Sequence, residues 1–156
     1  MSTFILPITL SQRSLDKLEG VDERLVETVK RAIEITTVDF GVIQGLRTLE
    51  EQKELVAKGA SQTMKSRHLE GKAVDLMGYL SGRACWEITI YDDIADAMRL
   101  AAMETDTPIR WGGCWIVDDI REWKQPMSEA YNYYVDTRRK QGRRPFIDGP
   151  HFEIPG

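Results

Sequence analysis

The sequence predicts an α+β fold, a small, mainly antiparallel sheet flanked by helices. Segments with apolar residues at helical spacing alternate with short β-branched segments bounded by glycine, so both element types belong to one unit. The intervals between the strand segments do not form the regular strand–helix–strand repeat of a parallel sheet. The 156 residues are 42% hydrophobic and 29% charged, a soluble globular balance with material for one core. No repeat, low-complexity tract or linker divides them, so residues 1–156 read as a single domain.

In order along the chain, residues 21–36 (VDERLVETVKRAIEIT) carry Leu25, Val29, Ala32 and Ile33 on one helical stripe. Residues 38–46 (VDFGVIQGL) are β-branched and glycine-bounded, a strand. Residues 48–59 form a helix with both ends marked: Thr48 as cap, Glu51 three residues on, and Gly59 as the stop. A polar loop over 60–72 leads into a strand at 73–80. A helix is expected over 91–105, with Ile94, Ala97, Met98 and Ala101 on one face. A short strand over 108–113 enters a glycine turn, a helix covers 128–141, and HFEIP closes the chain as a strand.

The net charge of −4 disfavours a general nucleic-acid binder, which needs a basic footprint to neutralise phosphates. RRKQGRR (138–144) reads as a solvated helix end with cations at the negative dipole terminus. Cys85 and Cys114 are too few for a disulfide framework and fit a reducing compartment. The N-terminal MSTFILPITLSQRSL has an apolar run but neither a basic leader nor a cleavage pattern, so no signal peptide is expected. No stretch approaches the ~20 apolar residues of a membrane span. The acidic runs YDD (91–93) and VDD (117–119) read as solvated or capping acids rather than sites for a hard cation such as calcium.

The chain has two histidines, and each sits beside acids and glycines: SRHLEGKAVDL (66–76) and IDGPHFEIP (147–155). A catalytic zinc site takes three protein ligands, His and carboxylate among them, and leaves a fourth position open. His68, Asp75 and His151 supply that set. If the strand starts near Ala73, Asp75 shares its face, because side chains alternate across a sheet. The loop turning at Gly71 brings His68 back over that face, and a small residue at 73 clears space beneath it. The plainer reading is an exposed loop histidine, an ordinary strand aspartate and an edge histidine. For a general base the spacing leaves three candidates: Asp148 across a DGP turn, Glu153 on the same strand face as His151, and Glu70.

Four blocks in order, from Gly45 to Glu153, carry a resemblance. SRHLEGKAVDL matches a Ser-x-His-x-x-Gly-x-Ala-x-Asp pattern and DGPHFE an acid-x-x-His pattern. GLRTLEEQ (45–52) resembles a Gly-x-Arg-Ser-x-x-x-Gln segment, and RWGGCW (110–115) a Trp-Gly-Gly-x-Trp segment. Together they resemble the zinc-dependent M15 peptidases, a family that includes D-alanyl-D-alanine carboxypeptidases and dipeptidases and phage L-alanyl-D-glutamate endopeptidases. The resemblance implies that fold, a Zn2+ cofactor on His68, Asp75 and His151, and Asp148 as the catalytic base. It places Arg47 near the scissile carbonyl, where a fixed guanidinium suits a developing oxyanion. It puts Ser66, Gln52, Trp111 and Trp115 on the substrate side, the first two supplying supporting hydrogen bonds and the tryptophans shaping the groove wall.

By the same resemblance the expected function is hydrolysis of the L-alanyl–D-glutamate bond of bacterial peptidoglycan by a monomeric phage endolysin. Such an enzyme waits in the host cytoplasm until a holin opens the membrane; residues 1–156 are expected to form the catalytic domain, with no separate cell-wall-binding domain among them. The rivals are a D-Ala-D-Ala carboxypeptidase or dipeptidase with the same site, and a non-catalytic zinc module that docks on cell wall. Cys114 stands where the family often has an acid, and Thr48 where it has serine. Residues 116–145 match no block and are where selectivity is expected.

Overall fold

The structure is a computed structural model that describes residues 8–61 and 63–156; most of the N-terminal apolar run lies outside them. The first element is a helix the sequence reading did not contain, α1 (Gln12–Lys17), capped by Ser11, whose hydroxyl accepts from the Ser14 amide. The helix α2 (Glu23–Ile35) follows from an Asp22 cap and buries Leu25, Val29, Ala32 and Ile33, the stripe its spacing predicted. Strand β1 (Asp39–Gln44) ends before Gly45. In α3 (Leu49–Ala57) Thr48 and Glu51 form the full capping box.

The expected loop over 60–72 contains one turn of 3-10 helix, Arg67–Glu70, which places His68. Ser66 caps it and Gly71 ends it at φ 69°, a left-handed conformation that glycine adopts without the Cβ penalty. Strand β2 (Ala73–Leu80) matches its predicted bounds and turns into β3 (Arg83–Cys85), too short for alternation to reveal. The helix α4 (Ile88–Thr105) starts three residues before the expected 91–105; β-branched Ile88 and Ile90 read locally as extended, while in the fold Ile90 is buried against Gly78 and Ile88 partly buried. Then come β4 (Arg110–Trp111), α5 (Met127–Lys140) and β5 (His151–Glu153).

The five strands make one sheet in the order β1-β2-β5-β4, with β3 on the far end of β2, and all their pairings are antiparallel. Alternation divides its two faces. Val74, Leu76, Trp111 and Phe152 are buried in the hydrophobic core with α2 and α4. Ala73, Asp75, His151, Glu153 and Arg110 have the opposite parity. Their register is direct: Asp75 lies opposite His151, and Ala73, Glu153 and Arg110 form one cross-strand row. Among the described residues, no helix is long and apolar enough to cross a membrane.

Candidate metal centre and cleft

The polar face of the sheet floors a cleft of about 930 Å³ whose lining includes His68, Asp75, His151, Asp148 and Arg47. One ligand atom from each of His68, Asp75 and His151 lies within 4.8 Å of the others, and this is the grouping found among the described residues. His68 Nε2 is 3.3 Å and His151 Nδ1 3.2 Å from the same Asp75 oxygen. The two rings meet edge to face, 5.2 Å between centroids.

The outer nitrogens decide what the inner ones can do. His68 Nδ1 donates to the Gly45 carbonyl at 2.9 Å, and His151 Nε2 to the Glu153 carboxylate at 2.8 Å. A carbonyl and a carboxylate only accept, so the neutral tautomers carry their protons outward and turn both lone pairs toward Asp75. Three acceptors then face one another, an arrangement that a cation in their midst relieves. Outer partners of this kind commonly orient metal-bound imidazoles. The donor set of two imidazoles and one carboxylate therefore fits a zinc-type site with an open position.

Without a metal, protons answer the same need. Burial favours the neutral form of His151, but its bonds to Asp75 and Glu153 outweigh that and push its pKa up to about 9. Burial would raise Asp75, yet the His151 and His68 contacts hold its carboxyl well below the usual range.

Asp148 sits on the turn before β5, fixed by its amide to the Gly112 carbonyl at 2.9 Å, while the Gly112 amide donates to the His151 carbonyl at 2.9 Å. A Cβ at Gly112 would collide with the Asp148 carbonyl, which explains the glycine in RWGGCW. Burial raises the Asp148 carboxyl above its ordinary value, and the Asp75 charge adds to this; His151, His68 and Arg47 offset it only in part. The other candidate bases are engaged elsewhere. Glu153 holds the outer side of His151, and exposed Glu70 pairs with Arg67 at 3.0 Å.

Arg47 approaches Asp75 at 3.9 Å through Nη2 and is held from behind. Its Nη1 donates to Gln52 Oε1 at 2.7 Å and Ser66 Oγ at 3.4 Å, and its amide donates to the His68 carbonyl at 2.9 Å. Gln52 is fully buried, so it braces Arg47 rather than meeting solvent. Trp115 lines the cleft, its ring 5.3 Å from His151 and 6.2 Å from Phe146. Trp111 is a correction to the expected groove wall. It is fully buried, stacks on Phe152, and donates from Nε1 to the Gly149 carbonyl at 2.7 Å, bracing the Asp148 turn from inside the core.

The cleft also includes Arg110 and Phe146, which the sequence reading passed over. The signal for Arg110 was its place one residue before a core tryptophan on a short strand, legible only once β4 is paired with β5. No lining residue falls in 116–145, where selectivity was expected. Cys85 and Cys114 are free thiols, and burial pushes Cys114 up to about 12, which keeps it a neutral thiol. In VDD, Asp119 caps a 3-10 turn and pairs with Arg121, as a capping acid should.

The sequence profile of a family described as phage L-alanyl-D-glutamate peptidase matches residues 6–154. The chain belongs to that family. This peptidase is 29% identical over 108 residues to the L-alanyl-D-glutamate peptidase of Escherichia phage T5, covering 67% of this chain and 79% of the relative. Its fold is similar to the crystal structure of the Serratia marcescens L-Ala D-Glu endopeptidase ChiX, with a TM-score of 0.70 and 35% identity. That alignment spans 95% of this chain and 90% of the other.

Proposed function

We propose that this peptidase is a zinc-dependent endopeptidase that hydrolyses the L-alanyl–D-glutamate bond of peptidoglycan stem peptides, acting as a phage endolysin in host lysis. The observation that carries the reading is the convergence of the His68 and His151 lone pairs on Asp75, beside Asp148 and Arg47, in a member of this family. Zn2+ held by His68 Nε2, Asp75 and His151 Nδ1 would supply Lewis acidity toward water and the scissile carbonyl.

The rest is the work of side chains. Asp148 takes the proton of the attacking water and delivers it to the leaving nitrogen. Burial holds its carboxyl above the ordinary range in the metal-free site, the direction that suits a group which takes a proton and then returns it. Arg47, locked by Gln52 and Ser66, donates to the carbonyl oxygen as charge develops there. Trp115 and Phe146 give the substrate an apolar wall.

Action as a monomer belongs to the same proposal. Release from the host cytoplasm through a holin follows from the endolysin reading and belongs to the proposal. Both named relatives are L-alanyl-D-glutamate enzymes, which favours that bond over a D-Ala-D-Ala bond.

Mass spectrometry of muropeptides after digestion reads the scissile bond directly. New N-terminal D-glutamate, abolished by a chelator and restored by zinc, is the expected result. New D-alanine termini would move the enzyme to the carboxypeptidase class, and no cleavage by zinc-loaded protein would leave only a docking module.

A further inference from the structure

We propose that Arg110 determines specificity by binding the free carboxylate of the D-glutamyl residue on the leaving side of the scissile bond. The inference rests on the L-alanyl–D-glutamate reading and adds to it the group recognised.

Arg110 shares the metal-binding face of the sheet. It lies directly across from Glu153, which is itself across from Ala73, in the row next to Asp75 and His151. Directly opposed residues on one face have Cβ atoms only ~5 Å apart and diagonal neighbours ~7–8 Å, so the guanidinium stem rises beside Glu153 and diagonally from His151. It nevertheless makes no ion pair among the described residues. Its Nε donates to the Trp115 carbonyl at 2.9 Å, Nη2 shares that acceptor, and the guanidinium lies 5.2 Å from the Trp115 ring centre. Phe146 stacks on the same ring.

That arrangement fixes the plane of the guanidinium and uses one edge of it. The Nη1 side keeps its donors, and a carboxylate matches such a planar fork. A fixed guanidinium edge without an ion-pair partner among the described residues, on the lining of the cleft, suits an anionic group of the substrate.

The scissile bond indicates which anion. Alanine contributes a methyl group. Glutamate has two carboxyl groups, and continuation of the peptide consumes only one. The other stays as a carboxylate, or as a carboxamide where it is amidated, and in a γ-linked residue it is attached to the carbon bearing the leaving nitrogen. A charged acceptor so close to the cleavage point demands a cation beside the metal ligands rather than farther along the groove, and Arg110 occupies that position.

The test uses two synthetic stem peptides that differ only in a D-glutamyl α-carboxylate or α-carboxamide, cleaved by zinc-loaded enzyme. Wild type should favour the acid in kcat/KM by about tenfold or more, as expected for a charge-assisted fork. Arg110→Gln should bring the acid-to-amide ratio to about one, and Arg110→Lys, which keeps the charge without the fork, should retain part of the preference. A merely structural role for Arg110 would lower both rates together and leave the ratio unchanged, which would overturn the proposal. Equal cleavage of both peptides by wild type, or preference for the amide, would also overturn it while leaving the proposed function intact. Cleavage of neither peptide would remove the proposed function and this inference with it.

Discussion

His151 and Glu153 stand two residues apart on one face of β5, with the imidazole Nε2 2.8 Å from the Glu153 carboxylate. The carboxylate therefore holds the edge of the ring that faces away from Asp75. Glu153→Ala should weaken metal binding about 10- to 100-fold, the usual cost of removing an orienting partner from a ligating histidine. Metal titration of the variant checks this. Unchanged affinity combined with lost turnover would instead return Glu153 to the role of base.

Asp148→Asn should keep the metal and lose about 10²- to 10⁴-fold in kcat, the range for removing a positioned general base. Metal content and kcat measured on one preparation separate the two effects. Loss of metal would make Asp148 a ligand and break the scheme.

His68→Ala should abolish stoichiometric zinc. The wild-type protein should melt at a lower temperature after chelation and recover on adding zinc, because a ligand bound only by the native state stabilises it by mass action. A melting temperature indifferent to chelator would contradict the site.

The His151 pKa near 9 makes the metal-free protein pH-sensitive. A histidine raised from an unfolded value of about 6.5 contributes stability that is fully present below pH ~6.5 and lost as pH rises through about 9. Metal competes with that proton, so zinc affinity should rise with pH across the same window, and binding near pH 7 should release a proton. Calorimetry in buffers of different ionisation enthalpy measures the release.

Gly112→Ala should destabilise the fold by about 1–3 kcal/mol, the range for overpacking a close contact, since the new Cβ would strike the Asp148 carbonyl. The same shift should move the Asp148 turn and lower turnover more than metal affinity. Denaturant unfolding and metal titration of the variant test the two parts.

Much of this protein is legible in one dimension. Thr48 with Glu51 marks a capping box, the Leu25–Ile33 stripe marks a helix, and glycine at 71 marks a left-handed turn, because each depends on neighbours within a few residues. The grouping of His68, Asp75 and His151 was legible for a different reason: the chain has only two histidines in 156 residues, each beside acids. The helix at 12–17 and the strand at 83–85 escaped notice because six and three residues are too few to show a period.

What the sequence determined by itself was the set of chemical groups and the face on which Asp75 must stand. Tertiary structure decided their partners. Pairing β5 between β2 and β4 set His151 against Asp75, put Glu153 behind the imidazole, brought Arg110 onto the cleft face and sent Trp111 into the core. Strand register joins residues dozens of positions apart, and a one-residue slip reverses every face. No local pattern carries that information, so the roles of Glu153, Arg110 and Trp111 become visible only when the sheet closes.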